Sequence, residues 1–111
     1  QLIIRVGVQV LSTASHGIPG EYGLSQNYPN PFNPSTTIRY EIPIGQNISL
    51  KIYDLIGTEV RTLINEYQPA GRRFITWDAT NDLGESLSAG MYVYRIEAGE
   101  FLQIKKMLLI K

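Results

Sequence analysis

The sequence predicts an all-β domain, an antiparallel β-sandwich, on three observations. Clusters of turn-forming residues recur at intervals of roughly 8–12 residues. Short segments rich in aromatic and β-branched residues lie between them and alternate apolar with polar positions. No stretch of length sustains a helical period. With 111 residues, 43% of them hydrophobic, the chain is long enough for one core without disulfide support.

The run from Trp77 to Ala98 organises the rest. It holds the single tryptophan of the sequence. Phe74 to Trp77 reads as the end of a strand. Asp78 to Gly84 then supplies turn formers whose short side chains bond their own backbone. After Ala89-Gly90 the chain returns as a strand, with Tyr92, Tyr94, Ile96 and Ala98 on one face and Met91, Val93 and Arg95 on the other. Trp77 beside this tyrosine-rich strand is the expected seed of the core, since each aromatic buries a large area.

Taken in order, Gln1 to Leu11 alternates as a strand, assigned here to the end of a preceding domain. The first residue is Gln rather than Met, and the chain reads as a piece of a longer protein. Ser12 to Gly23 is small, polar and Gly-rich, which makes it a flexible linker. Residues 1–23 are thus set apart from a domain over residues 24–111. His16 falls in the linker and reads as a solvated residue, because neither a second His nor any Cys is present to converge with it.

Leu24 to Thr37 contains three X-Pro steps, at Pro29, Pro31 and Pro34. Proline fixes φ and removes a backbone donor, so this segment cannot be a central strand. It is expected to cap an open end of the sandwich, pinned by Tyr28 and Phe32; recognition of the polyproline kind is the alternative. Thr36 to Ile42 follows as a strand with Ile38, Tyr40 and Ile42 inward, then Ile48 to Tyr53 with Ile48, Leu50 and Ile52 inward. Asp54 to Gly57 is a hairpin loop. Val60 to Ile64 reads as a shorter strand; a loosely helical pattern over residues 54–66 is opposed by Gly57 and Thr58. Pro69-Ala70-Gly71 turns the chain into Arg72 to Trp77. Gly99-Glu100 makes a tight turn into Phe101 to Ile110. There Leu102, Ile104, Leu108 and Ile110 form the expected apolar face, interrupted by Lys106, against Gln103, Lys105, Met107 and Leu109.

Charge and composition exclude several functions. Ten basic and ten acidic residues cancel, so the chain has no electrostatic footprint for nucleic acid or an anionic membrane. No apolar run approaches the ~20 residues of a transmembrane helix, and no transmembrane segment is expected. Without cysteine there is no thiol chemistry. No nucleophile–base pair and no phosphate-binding glycine loop stands out. Asp78, Thr80 and Asp82 alternate like the start of a calcium loop, but the following spacing fails, and Asx turns in a hairpin explain them. Asn47-Ile48-Ser49 fits a glycosylation acceptor that is common by chance. No cofactor is expected. The ending Lys105-Lys106-Met107-Leu108-Leu109-Ile110-Lys111 is either an edge strand blunted by lysines or an address read by a receptor.

Five motifs in one order carry a family resemblance: L-S-Q-N-Y-P-N-P-F-N-P-S-T-T-I (24–38), L-K-I-Y-D-L-I-G (50–57), W-D-A-T-N-D-L-G (77–84), L-S-A-G-M-Y-V-Y-R-I (87–96) and K-K-M-L-L-I-K (105–111). The chain resembles the type A C-terminal sorting domain of the type IX (Por) secretion system, and it is similar to the immunoglobulin-like domain of the flagellar hook-capping protein. Tyr28, Pro29, Asn30, Pro31, Phe32, Trp77, Asp78, Gly84, Gly90 and Tyr92 carry the match. Ala79 stands where the family's W-D-G pattern has glycine. The resemblance implies an immunoglobulin-like sandwich of about seven strands, attached to an N-terminal cargo protein. It implies no catalysis, passage through the periplasm, recognition by the type IX translocon and removal by a sortase. The product is secreted or held at the cell surface. The cut would fall in Ser12 to Gly23, and the signal would be Lys105 to Lys111, presented on a terminal strand with unpaired edge groups. A carbohydrate- or calcium-binding accessory sandwich is the alternative, with Trp77 and the tyrosines as a sugar platform.

Overall fold

The structure, a computed structural model, describes residues 18–111. The strand expected over Gln1 to Leu11, His16 and most of the linker lie outside the described residues. Seven strands form: β1 (Gly23–Leu24), β2 (Thr36–Ile42), β3 (Gln46–Asp54), β4 (Glu59–Gln68), β5 (Gly71–Trp77), β6 (Gly90–Ala98) and β7 (Phe101–Leu109). They make two antiparallel sheets, ordered β1-β2-β5 and β4-β3-β6-β7. This is the antiparallel sandwich that the alternation predicts, in the seven-stranded, immunoglobulin-like form that the resemblance implies.

The core is built from one face of each sheet. Ile38, Tyr40 and Ile42 of β2 meet Ile48, Leu50 and Ile52 of β3 and Tyr94, Ile96 and Ala98 of β6, all buried. Alternation puts these residues on a single face of each strand, so the second layer covers them all at once. Trp77 closes one end of this core. It is 1% exposed, with Tyr92 edge-on at 6.0 Å and Phe32 tilted at 5.8 Å between ring centroids. Its indole nitrogen donates to the Thr80 carbonyl at 2.9 Å.

Three local expectations change. β4 runs for ten residues, well past Ile64. It is an edge strand with Ile64 alone among its residues buried, so its outer half carries polar residues that give no apolar alternation to read. Tyr28 is not an anchor: it is 74% exposed, while Phe32 is 1% exposed. The cap is held on the Tyr28 side by main chain, through reciprocal bonds of 2.9 Å with Thr37. In β7 the expected apolar face is the outer one. Met107 and Leu109 are buried, and Leu102, Ile104 and Ile110 stand 45–53% exposed.

The segment before β1 is docked as well. Tyr22 stacks on Phe101 with centroids 4.8 Å apart and its hydroxyl accepts from Gln46 Nε2 at 2.7 Å. Gly23 and Leu24 then pair with Glu41 and Tyr40. The docked chain thus reaches ahead of Leu24, into the stretch expected to be linker.

Candidate functional site

The residues singled out as a signal lie on β7 and just beyond it. Among the described residues β7 has one strand neighbour, β6, and forms an edge of the four-stranded sheet. Its ladder pairs Ala98 with Phe101, Tyr92 with Met107 and Gly90 with Leu109. Lys106, Ile110 and Lys111 are exposed, Lys105 and Leu108 are half-buried, and Met107 and Leu109 are core residues. The seven residues therefore do not form one linear surface. Lys106, Ile110 and Lys111 are open to solvent and Lys105 and Leu108 partly so, while Met107 and Leu109 hold the strand in place.

The free edge of β7 is also not open along its whole length. Phe32 donates its amide to the Leu108 carbonyl at 3.0 Å, and Ile110 donates to the Phe32 carbonyl at 2.9 Å. The Asn30 side-chain oxygen accepts from the Leu108 amide at 3.0 Å. Gln26 Nε2 donates to the Lys106 carbonyl at 2.7 Å. The proline-rich cap thus seals the C-terminal end of the strand, because proline and asparagine hold it extended against an edge without asking it to join a sheet. Phe32 supplies the anchor by inserting its ring beside Trp77. From sequence, Gln26 and Asn30 are visible only as members of the 24–38 motif, with no sign of what they bond.

The turn after Trp77 holds an arginine where a calcium ion was considered. Arg61 Nη1 donates to Thr80 Oγ1 at 2.7 Å and to the carbonyls of Thr80 and Asn81 at 3.3 and 3.2 Å. Arg61 Nε lies 3.7 Å from Asp82 Oδ1, which also accepts from the Thr62 amide at 3.0 Å. Thr80 Oγ1 donates to Asp78 Oδ1 at 2.6 Å, and this bond is the main reason the Asp78 carboxyl is held below the ordinary carboxylate range. Among the described residues no cluster of three His, Asp or Glu side chains forms a metal site. Arg61 was missed from sequence, since a lone cation on a polar edge strand gives no pattern. The Asx turns expected here are present: Asn81 Oδ1 accepts from the Leu83 and Glu85 amides, both at 2.9 Å, and Gly84 takes a left-handed φ of 83°. Trp77 has no exposed face for a sugar. Tyr92 is likewise turned inward, with its hydroxyl donating to the Ser88 carbonyl at 2.7 Å, and Gly90 starts β6 opposite Leu109.

The profile of the secretion system C-terminal sorting domain family matches residues 26–111, which takes in the cap, the sandwich and the terminal strand. The chain belongs to this family. Sorting domains of the family serve type IX secretion to the cell surface or the extracellular space, and the family is non-catalytic. Solved structures share the sorting domain's fold. PorU from Porphyromonas gingivalis, solved as a latent dimer, aligns with a TM-score of 0.63 at 23% identity over 84% of this chain and 10% of its own. PorZ, described as an essential surface component of the type-IX secretion system of the same bacterium, aligns at 0.55 and 19% identity over 81% of this chain and 11% of its own. FlgD of Xanthomonas campestris, a hook-capping protein, aligns at 0.55 and 22% identity over 80% of this chain and 67% of its own. The sorting domain thus spans about a tenth of the length of PorU and PorZ. No curated protein sequence matches it.

Proposed function

We propose that this domain is the address by which a cargo protein joined to its N-terminus is carried from the periplasm through the type IX outer-membrane translocon. The receptor reads the folded sandwich rather than a linear peptide. It meets Lys105, Lys106 and Lys111 together with Leu108 and Ile110, while Met107 and Leu109 are needed for folding. A sortase then cuts within Ser12 to Glu21, ahead of Tyr22, whose stack on Phe101 docks the chain. The domain over residues 24–111 acts as the sorting unit, with Tyr22 and Gly23 as its clip. One observation supports this reading: the family match covers a sandwich whose last strand sits at a sheet edge with Lys106 open to solvent and Lys105 half-buried beside it.

The test is a fluorescent protein with a periplasmic signal peptide, fused to residues 1–111. It is expressed in a bacterium with a working type IX system and in the same strain lacking the translocon. Fluorescence should reach the medium or the surface in the first strain alone, and the released fragment should begin N-terminal to Tyr22. Retention inside both strains of a fusion that is folded overturns the reading.

A further inference from the structure

We infer that β7 between Leu102 and Lys106 is a docking edge for an extended strand of a partner protein whose carboxylates meet Lys105 and Lys106. This rests on the sorting function proposed above and assigns the class of partner to it.

Backbone alternation locates the edge. In a strand the N–H and C=O of one residue point the same way, and those of the next point oppositely. Leu108 and Ile110 point theirs away from β6, into Asn30 and Phe32, and Lys106 points its carbonyl at Gln26. Leu102 and Ile104, two and one steps further back along the same alternation, aim their N–H and C=O at the same open side. Among the described residues nothing bonds them. The cap therefore leaves one short window of main chain able to receive a strand.

Side chains select the occupant. Leu102 and Ile104 are 51% and 53% exposed, and beside Ile104 a shallow groove of about 230 Å³ lies among Tyr53, Val93 and Arg95. That groove lies toward β6 and β3, away from the open edge, so an incoming strand gains apolar contact from the Leu102 and Ile104 side chains themselves, as well as hydrogen bonds. Residues 101–111 contain three lysines and no acid, and none of the lysines has a carboxylate partner among the described residues. A second copy of the same strand would bring its own lysines to the pair, whereas Asp or Glu beside the window are attracted. The opposite edge is different. β4 is covered at its start, where the Asp82 amide donates to the Val60 carbonyl at 3.1 Å, and it shows Glu59, Asn65 and Glu66 to solvent.

The experiment uses the full-chain fusion in the type IX strain with three variants. Ile104→Pro removes one outward N–H and leaves every charge. Ile104→Thr alters the side chain and keeps the N–H. Lys105→Glu/Lys106→Glu reverses charge and keeps the backbone. Buried Trp77 emission of the purified fusion reports folding. Export should fall about tenfold for the proline variant and by a similar factor for the charge reversal, as expected for an orphaned acceptor or a repelled partner. The threonine variant loses part of the apolar contact but keeps the N–H, so its export should fall by less than that of the proline variant. Parent-like export of a folded Ile104→Pro fusion overturns the inference while the sorting function stands. If the proline variant does not fold, the charge reversal decides, and its normal export overturns the inference. A parent fusion that is never exported removes the sorting function and this inference with it. Sedimentation that finds a dimer abolished by Ile104→Pro makes the occupant a second copy and overturns the assignment to a foreign strand.

Discussion

The Tyr94 hydroxyl accepts the Asn27 backbone amide at 2.8 Å, across 67 residues of sequence. It also donates to the Ser25 carbonyl at 2.7 Å. One buried oxygen from β6 therefore holds the segment that leads into the cap, at the point where that segment must cross from one sheet to the edge of the other. Asn27 is itself buried and donates to Thr36 Oγ1 at 2.9 Å, so the entry to the cap is fixed by a short chain of satisfied polar groups.

Removing that oxygen leaves two main-chain groups without partners. Tyr94→Phe should lower stability by about 1–3 kcal/mol, since the penalty is that of unsatisfied buried groups. The same residue predicts a response to alkali. Burial pushes the Tyr94 hydroxyl up to about 12 from an ordinary value of 10.0, and burial also raises Tyr40 and Tyr92. The folded state favours the protonated phenol, so this stabilisation is complete below the ordinary value and is lost as pH rises through the folded one. Urea midpoints should decline between pH 10 and pH 12, and Tyr94→Phe should flatten that decline. A parent midpoint that is level across this range contradicts the assignment.

Ala79 is buried at 3% exposure with a φ of 64°. An L-residue in that conformation costs roughly 1–2 kcal/mol, and the methyl group returns only about 0.8 kcal/mol by burial. Ala79→Gly should therefore be neutral to stabilising by up to about 1 kcal/mol, whereas Ala79→Val should destabilise by more than the glycine change gains. Chemical denaturation of the three proteins checks the order.

Phe32 and Tyr28 lie in one motif and should behave oppositely. Phe32→Ala empties a site between Trp77 and the cap and should cost about 3–5 kcal/mol. Tyr28→Ala removes an exposed ring and should change stability by about 0.5 kcal/mol or less. Equal losses in thermal unfolding would contradict the cap geometry.

The facing of β7 is tested the same way. Met107→Ala should cost about 2–5 kcal/mol, and Ile104→Ala about 0.5 kcal/mol or less. The reverse order would restore the face expected from hydrophobicity alone.

That face shows where sequence reasoning stops. β2, β3 and β6 follow the alternation read from them, and β4 and β5 are bounded by turns that the sequence marks. In β7 both faces are apolar, so period two cannot choose between Leu102-Ile104 and Met107-Leu109. The choice is made by pairing. The two-residue turn Gly99-Glu100 sets Ala98 opposite Phe101, and opposite residues share a face. Since Ala98 points inward, so do Phe101, Met107 and Leu109. The turn was legible, and its register would have corrected the strand. The cap's contacts were not legible in the same way, because Asn30 and Gln26 act on main chain whose position depends on the whole sheet. Arg61 in the Asp78–Asp82 turn belongs to the same class.

The Tyr22–Phe101 stack gives the domain a polarity. It anchors the incoming chain at the first residue of β7, while Lys111 lies past the last. Nine residues of strand separate the two, roughly 30 Å at the rise of an extended chain. The chain therefore enters the sandwich about a strand's length from where Lys111 leaves it; under the function proposed above, cargo and signal are then joined to opposite ends of one domain.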